Sequence, residues 1–237
     1  SWSDNAVIEN NTLMALNGFR FLDYGGNNLL VRSNLVKDCP NILNFSEEDY
    51  RQLPHEDSSN WFDFQVSMFA AESSKPVQTN IVFAYNWFED IDNQIGRLGD
   101  SGPGCYGVTF HNNVFIGVSL HYSGGRDDMR WISNTFYRCA HKTGRVLALG
   151  GRPPAQTGYM VVSNLFIDCG QRDGMGSRGW YSVSDNAIDP EADYNMVAGP
   201  ETTGYDAKIG FDEVHGINGG DPLFLNVNDP LGPDGIP

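Results

Sequence analysis

The strongest constraint in this chain is a short phrase that keeps returning: an apolar stretch, an asparagine, any residue, then a large apolar residue. It occurs at Asn11-Thr12-Leu13, Asn34-Leu35-Val36, Asn86-Trp87-Phe88, Asn113-Val114-Phe115, Asn134-Thr135-Phe136, Asn164-Leu165-Phe166 and Asn186-Ala187-Ile188, at spacings of 23, 52, 27, 21, 30 and 22. Such a period marks a solenoid, in which each repeat buries its apolar face only against its neighbours. The 52-residue interval reads as two periods of 26, with Ser59-Asn60-Trp61-Phe62 at its midpoint, although His55-Glu56-Asp57 before it lacks strand character. The expected fold is therefore all-β, a parallel β-helix of about eight coils stacked about 4.8 Å apart.

Asparagine suits one corner of every coil, because it tolerates the left-handed backbone region and its amide can bond to like residues above and below. The cysteines keep the same phase: Cys39, Cys139 and Cys169 each stand five residues after a repeat asparagine. Metal-type CxxC spacing is absent, so a stack of small buried thiols is the reading preferred over a metal site or a disulfide.

A third strand follows in several coils and ends near a glycine pair, as in Val118-Ser119-Leu120-His121 before Gly124-Gly125 and Arg145-Val146-Leu147-Ala148-Leu149 before Gly150-Gly151. Period-two alternation points Val118 and Leu120 inward and His121 outward. Phe19-Arg20-Phe21-Leu22 aligns with them, leaving Arg20 outward. Coils are expected over 1–189, with 46–60 leaving the wall as a loop, and 190–237 as an irregular terminal layer of the same domain.

Composition agrees with a turn-rich fold: glycine reaches 27 of 237 residues. A formal charge of −15 makes nucleic acid a poor expectation as partner. The charge is uneven, since 97–178 holds nine of the 15 Lys and Arg but five of the 30 Asp and Glu. A basic waist of this kind suits an anionic ligand. No apolar run reaches the length of a membrane span, and no signal pattern opens the chain, although its first residues already read as the middle of a coil. The expectation is a single copy acting as one domain of a longer chain whose export signal lies outside this sequence.

The Asn-x-Phe coils, Gly124-Gly125-Arg126-Asp127 before a coil strand, and Asp221-Pro222-Leu223-Phe224 followed by Asn226 to Asp234 together resemble secreted bacterial right-handed β-helix proteins of the pectate-lyase-like class. The resemblance covers residues 1 to about 230. It implies a right-handed coil, an extracellular or cell-surface location, and a polysaccharide bound in a groove beside the third-strand wall. Polysaccharide lyases and glycoside hydrolases both belong to that class. The full catalytic signatures of the polygalacturonase and pectate lyase families are absent here, so no catalytic residue is carried over.

The groove candidates are Arg20, Arg97, Asp100, His121, Arg126, Asp127, Asp128, His141, Lys142 and Arg145. For β-elimination on a uronic-acid polymer, His121 would be the base, and Arg97 and Arg145 would neutralise the substrate carboxylate. Arg20, Arg126 and His141 would add binding contacts. For hydrolysis, Asp100 and Asp127 would pair as carboxylates, since equivalent positions one coil apart lie near the roughly 5 Å of a retaining pair. Against each stands a plainer reading, a solvated strand residue for His121 and ordinary turn chemistry for the aspartates. The tail residues Asp221, Asn226, Asn228, Asp229 and Asp234 offer oxygen ligands for Ca²⁺ without EF-hand spacing; a solvated loop is the competing account, and no other cofactor is expected. The functional expectation is recognition, with cleavage as a further step, of an anionic polysaccharide. The competing class is a non-catalytic structural or adhesive rod.

Overall fold

A computed structural model describes residues 4–14, 27–39, 78–91, 94–95, 105–120, 127–139, 146–149, 155–169, 181–183, 187–199 and 213–220. The stack of asparagines organises it. Asn11 Nδ2 donates to Asn34 Oδ1, Asn34 to Asn86 and Asn86 to Asn113, each at 2.9 Å. Asn113 continues to Asn134, Asn134 to Asn164 and Asn164 to Asn195, each at 3.0 Å. Each receiving oxygen also accepts the donor residue's own backbone N–H, as Asn134 Oδ1 does from Asn113 at 3.0 Å. A second amide hydrogen reaches a main-chain carbonyl on the preceding wall, as from Asn134 to Phe110 at 2.9 Å. Asn34, Asn86, Asn113, Asn134, Asn164 and Asn195 are all buried. Burial without these partners would cost about 1–3 kcal/mol for each orphaned group, which is why an amide recurs at this corner.

Two walls meet at the ladder. The wall before it is a seven-stranded sheet of β1 (Val7–Glu9), β3 (Leu29–Arg32), β5 (Gln78–Ala84), β8 (Cys105–His111), β11 (Arg130–Ile132), β14 (Met160–Val162) and β17 (Glu191–Asp193), in that order. The wall after it is an eight-stranded sheet of β2 (Thr12–Met14), β4 (Leu35–Cys39), β6 (Trp87–Ile91), β9 (Val114–Ile116), β12 (Thr135–Tyr137), β15 (Leu165–Ile167), β18 (Met196–Ala198) and β19 (Ile217–Asn218). Every neighbouring pair in both sheets is parallel. Two shorter parallel pairs complete the strands: β7 (Gln94–Ile95) with β10 (Ser119–Leu120), and β13 (Leu147–Leu149) with β16 (Tyr181–Val183). The described residues contain no helix, and the arrangement is that of a parallel β-solenoid.

Strands this short are separated by single residues in the left-handed region, recurring every five positions. One row stands six residues before each ladder asparagine: Asn5, Asn28, Asn80, Gly107, Asp128, Gly158 and Asp189. A second stands immediately before it: Asn10, Ser33, Tyr85, Asn112, Ser133, Ser163 and Tyr194. A third, four residues after it, holds Asp90, Gly117, Arg138 and Asp168. Each bends the chain between extended segments, and most are residues that enter this region at low cost. At Gly158 a Cβ would fall against Asp128 Oδ1, so a side chain there would have to displace that carboxylate.

Inward side chains stack in register. In the eight-stranded sheet Phe88, Phe115, Phe136 and Phe166 lie nearly parallel, with ring centroids 5.1, 4.9 and 4.9 Å apart. On the facing wall Phe83, Phe110 and Trp131 do the same at 4.8 and 6.3 Å. Beyond the area they bury, such pairs contribute about 1 kcal/mol each. Val118, Cys139 and Cys169, each five residues after a ladder asparagine, are fully buried. Both thiols are free. Cys139 Sγ bonds to Phe115 O at 3.3 Å and Cys169 Sγ to Phe136 O at 3.5 Å. They are small buried fillers at the position that Val118 holds one rung before Cys139, and burial pushes the Cys169 thiol well above its ordinary range.

Two sequence expectations are corrected. The 52-residue interval is one step of the stack: Asn34 bonds directly to Asn86, and Leu35 pairs with Trp87. Asn60 therefore does not stand between Asn34 and Asn86 in the ladder, and residues 40–77 lie outside the described residues. The seventh ladder asparagine is Asn195, while Ala187 bridges to Gln156 on the far side of the preceding wall. Asn186 itself lies outside the described residues. Regular pairing thus runs past 189, through β17, β18 and β19.

Candidate functional site

Of the site residues expected from sequence, Asp127 and Asp128 fall within the described residues. His121, Asp100, Arg20, Arg97, Arg126, Arg145, His141 and Lys142 lie outside them, as do the tail positions offered for Ca²⁺. The strand fragments nearest to His121 and Arg145 are β10 and β13. Val118 before β10 is fully buried, as the alternation required, and Val146, Leu147 and Leu149 are buried at β13.

Asp127 sits one residue before the first left-handed bend. Its Oδ1 accepts the Thr157 backbone N–H at 2.6 Å and the Thr157 hydroxyl at 3.2 Å. One rung position elsewhere does likewise: Asn27 Oδ1 accepts Thr79 N at 2.9 Å and Thr79 Oγ1 at 3.2 Å. Asp4 Oδ1 in turn accepts Asn27 N at 2.8 Å. Asp127 therefore belongs to a second, outer row of turn acceptors, and register places Tyr106 level with it in the preceding rung. That row is legible as Asp4, Asn27, Thr79, Asp127 and Thr157, each seven residues before a ladder asparagine and upstream of the apolar stretch that opens the repeated phrase.

Other outward groups pair across neighbouring rungs. Lys37 Nζ meets Glu89 Oε1 at 2.9 Å on the outer face of the eight-stranded sheet, and the Trp87 indole N–H donates to Glu89 Oε2 at 2.9 Å. Lys37 and Glu89 each stand three residues after their asparagine, so the pair follows once 34 and 86 are neighbours. Arg138 Nε lies 3.3 Å from Asp168 Oδ2, with its guanidinium 5.1 Å from the Tyr137 ring centre. Burial raises the Tyr137 phenol, partly offset by Arg138, so it stays a neutral donor. His215 Nδ1 lies 2.8 Å from Asp193 Oδ2, a bond that lowers the Asp193 carboxyl. Arg130 projects from β11 into solvent. Among the described residues no group of three or more His, Cys, Asp or Glu could hold a metal, and no helix is long and apolar enough to cross a membrane.

This surface can hold charged and hydroxylated groups in a line, because register repeats each position along one axis. No family model, no curated protein and no solved structure matches the chain.

Proposed function

We propose that the chain is a right-handed parallel β-helix that binds an extended anionic polysaccharide outside the cell. The observation that carries this reading is the in-register stacking of β8 through β15 inside the stretch 97–178, where nine of the 15 basic residues concentrate. A polymer with a short repeat suits a surface whose own repeat is about 4.8 Å, and Arg130 and Arg138 are described members of that stretch. Recognition would centre on the third-strand wall, with Arg20, Arg97, Arg126, Arg145 and His141 as contacts. Cleavage, where it occurs, would be β-elimination with His121 as base, or hydrolysis by Asp100 and Asp127. Ca²⁺ would bind through the acidic tail. A single copy, as one domain of a secreted protein, is the proposed state.

The second reading is a structural or adhesive rod without chemistry. It is favoured by Asp127, whose carboxylate is engaged in the same turn bonds as the amide of Asn27.

The test is a glycan screen that reads binding and the ultraviolet absorbance of unsaturated uronate in the same wells, with and without Ca²⁺. Binding to an acidic polymer that weakens with salt supports the proposal, and new absorbance lost in His121→Ala makes the protein a lyase. Silence on every glycan favours the structural rod.

A further inference from the structure

We propose that Tyr85 and Tyr194 are stacking platforms of a second glycan-binding edge, running along the asparagine corner and carrying a neutral sugar chain. The inference shares with the reading above only the class of ligand.

Both residues occupy the left-handed row immediately before the ladder, with φ of 56° and 58°. The other members of that row are Asn10, Ser33, Asn112, Ser133 and Ser163, short polar residues that suit the bend. A bulky side chain there costs about 1–2 kcal/mol. The usual compensation would be burial, yet Tyr85 is 61% exposed and Tyr194 58%. Twice, then, the corner places a large ring where the backbone disfavours it and leaves that ring in water. Strain kept without burial points to use of the ring's outer face.

Each ring is braced by an imidazole from the next rung. His111 meets Tyr85 edge-on at 5.4 Å, and His215 lies flat against Tyr194 at 4.5 Å. His215 is itself held by Asp193, through Nδ1 to Oδ2 and through its backbone N–H to Oδ1, both at 2.8 Å. The tyrosines are therefore positioned surfaces with little orientational freedom left to lose on binding.

The two pairs stand four rungs apart, about 19 Å at the parallel-strand spacing. Between them the row presents Asn112, Ser133 and Ser163, all exposed. A flat ring, then short hydroxyl and amide groups, then another flat ring is a track for a chain of pyranose units, whose C–H faces pack on aromatic rings while their hydroxyls bond to serine and asparagine. No Lys, Arg, Asp or Glu stands in the described row, so binding here would not depend on ligand charge. That separates this edge from a salt-sensitive groove on the third wall.

The experiment is calorimetric titration of the whole chain with cellohexaose, xylohexaose and mannohexaose at roughly 0.05 and 0.5 M NaCl. The variants are Tyr85→Asn and Tyr194→Asn, which install a residue the row already uses. The parent is expected to bind at least one of these oligosaccharides equally at both salt levels. Each variant should weaken binding about five- to tenfold, the double variant should abolish it, and neither should lower the melting temperature. Absence of binding to all three, binding unchanged in the variants, or variants that melt below the parent would each overturn the proposal. Polygalacturonate binding that falls with salt and survives both changes would overturn this edge while leaving the third-wall groove standing.

Discussion

Glu213 Oε2 accepts the Asn195 side-chain N–H at 3.2 Å and the Asn195 backbone N–H at 3.0 Å, occupying the place that an asparagine oxygen holds in the rungs before it. Gly216 stands at the ladder position of that last described rung, and a Cβ there would lie 2.7 Å from Glu213 Oε2. The absent side chain makes room for the carboxylate. Every amide in the stack donates toward the higher-numbered rungs, so the positive end of the aligned dipoles meets the Glu213 oxygen.

Burial holds the Glu213 carboxyl above its ordinary 4.5, more than its two bonds to Asn195 lower it. The folded chain then binds this proton more tightly than the unfolded one. Its contribution to stability is present below the ordinary glutamate range and is lost as pH rises through the folded value. Glu213→Gln keeps an acceptor and removes the charge. Its melting temperature relative to the parent should therefore increase from about pH 4 to about pH 8. A difference that is flat or falls with pH would contradict the assignment. Asp193, lowered by its bond to His215, works in the opposite sense, its stabilisation lost as pH falls through its folded value, so Glu213→Gln must be compared at constant Asp193.

Asn134→Ala removes the oxygen that serves Asn113 twice and the donor that reaches Phe110 O and Asn164. With several buried groups orphaned, a loss of roughly 2–4 kcal/mol is expected. Thermal melts should show the same order of loss for Asn164→Ala, and little change for Asn11→Ala at the exposed end of the stack. Equal melts for all three would mean that the ladder does not carry the fold.

Cys139 and Cys169 are buried in neighbouring rungs, with the Cys169 thiol raised by that burial. Neither should react with a water-soluble disulfide reagent in the native protein, and both should react once guanidinium unfolds it. Cys139→Val should retain the native melting temperature to within a few degrees, following the Val118 precedent. Fast native labelling of either thiol would contradict the packing.

Asp127→Asn separates turn from chemistry. Asn27 already fills an equivalent position with the same pair of bonds, so the variant should fold and melt as the parent does. A loss of glycan cleavage in a stable Asp127→Asn protein would place the carboxylate in the reaction. A loss of stability would instead show that its charge serves the corner.

Much of this architecture was legible because a solenoid writes the same instruction repeatedly. Six of the seven ladder asparagines and the buried Phe88, Phe115, Phe136 and Phe166 follow from phase alone. Two steps failed where spacing was allowed to override register. Halving the 52-residue interval assumed that a long interval hides a coil, whereas Asn34 and Asn86 bond directly across it. Counting Asn186 as a repeat asparagine kept the spacing short, whereas Asn164 bonds to Asn195, and Tyr194 before it sits in the left-handed row that precedes the other ladder asparagines. The outward face is harder to read, because solvated positions vary without the penalty that burial imposes. Lys37 and Glu89, Tyr85 and His111, and Tyr194 and His215 become visible as partners only after adjacency is known.

The central claim is that a continuous amide ladder fixes the order of rungs, with 34 and 86 as neighbours. Excising residues 46–71 tests it directly, because the deletion reduces that interval from 52 to 26, within the 21 to 31 that separate other neighbouring ladder asparagines. The account predicts a folded protein with the parent's β-type circular dichroism and a melting temperature within a few degrees. A chain that fails to fold, or that melts far below the parent, would show that a rung had been removed and would contradict it.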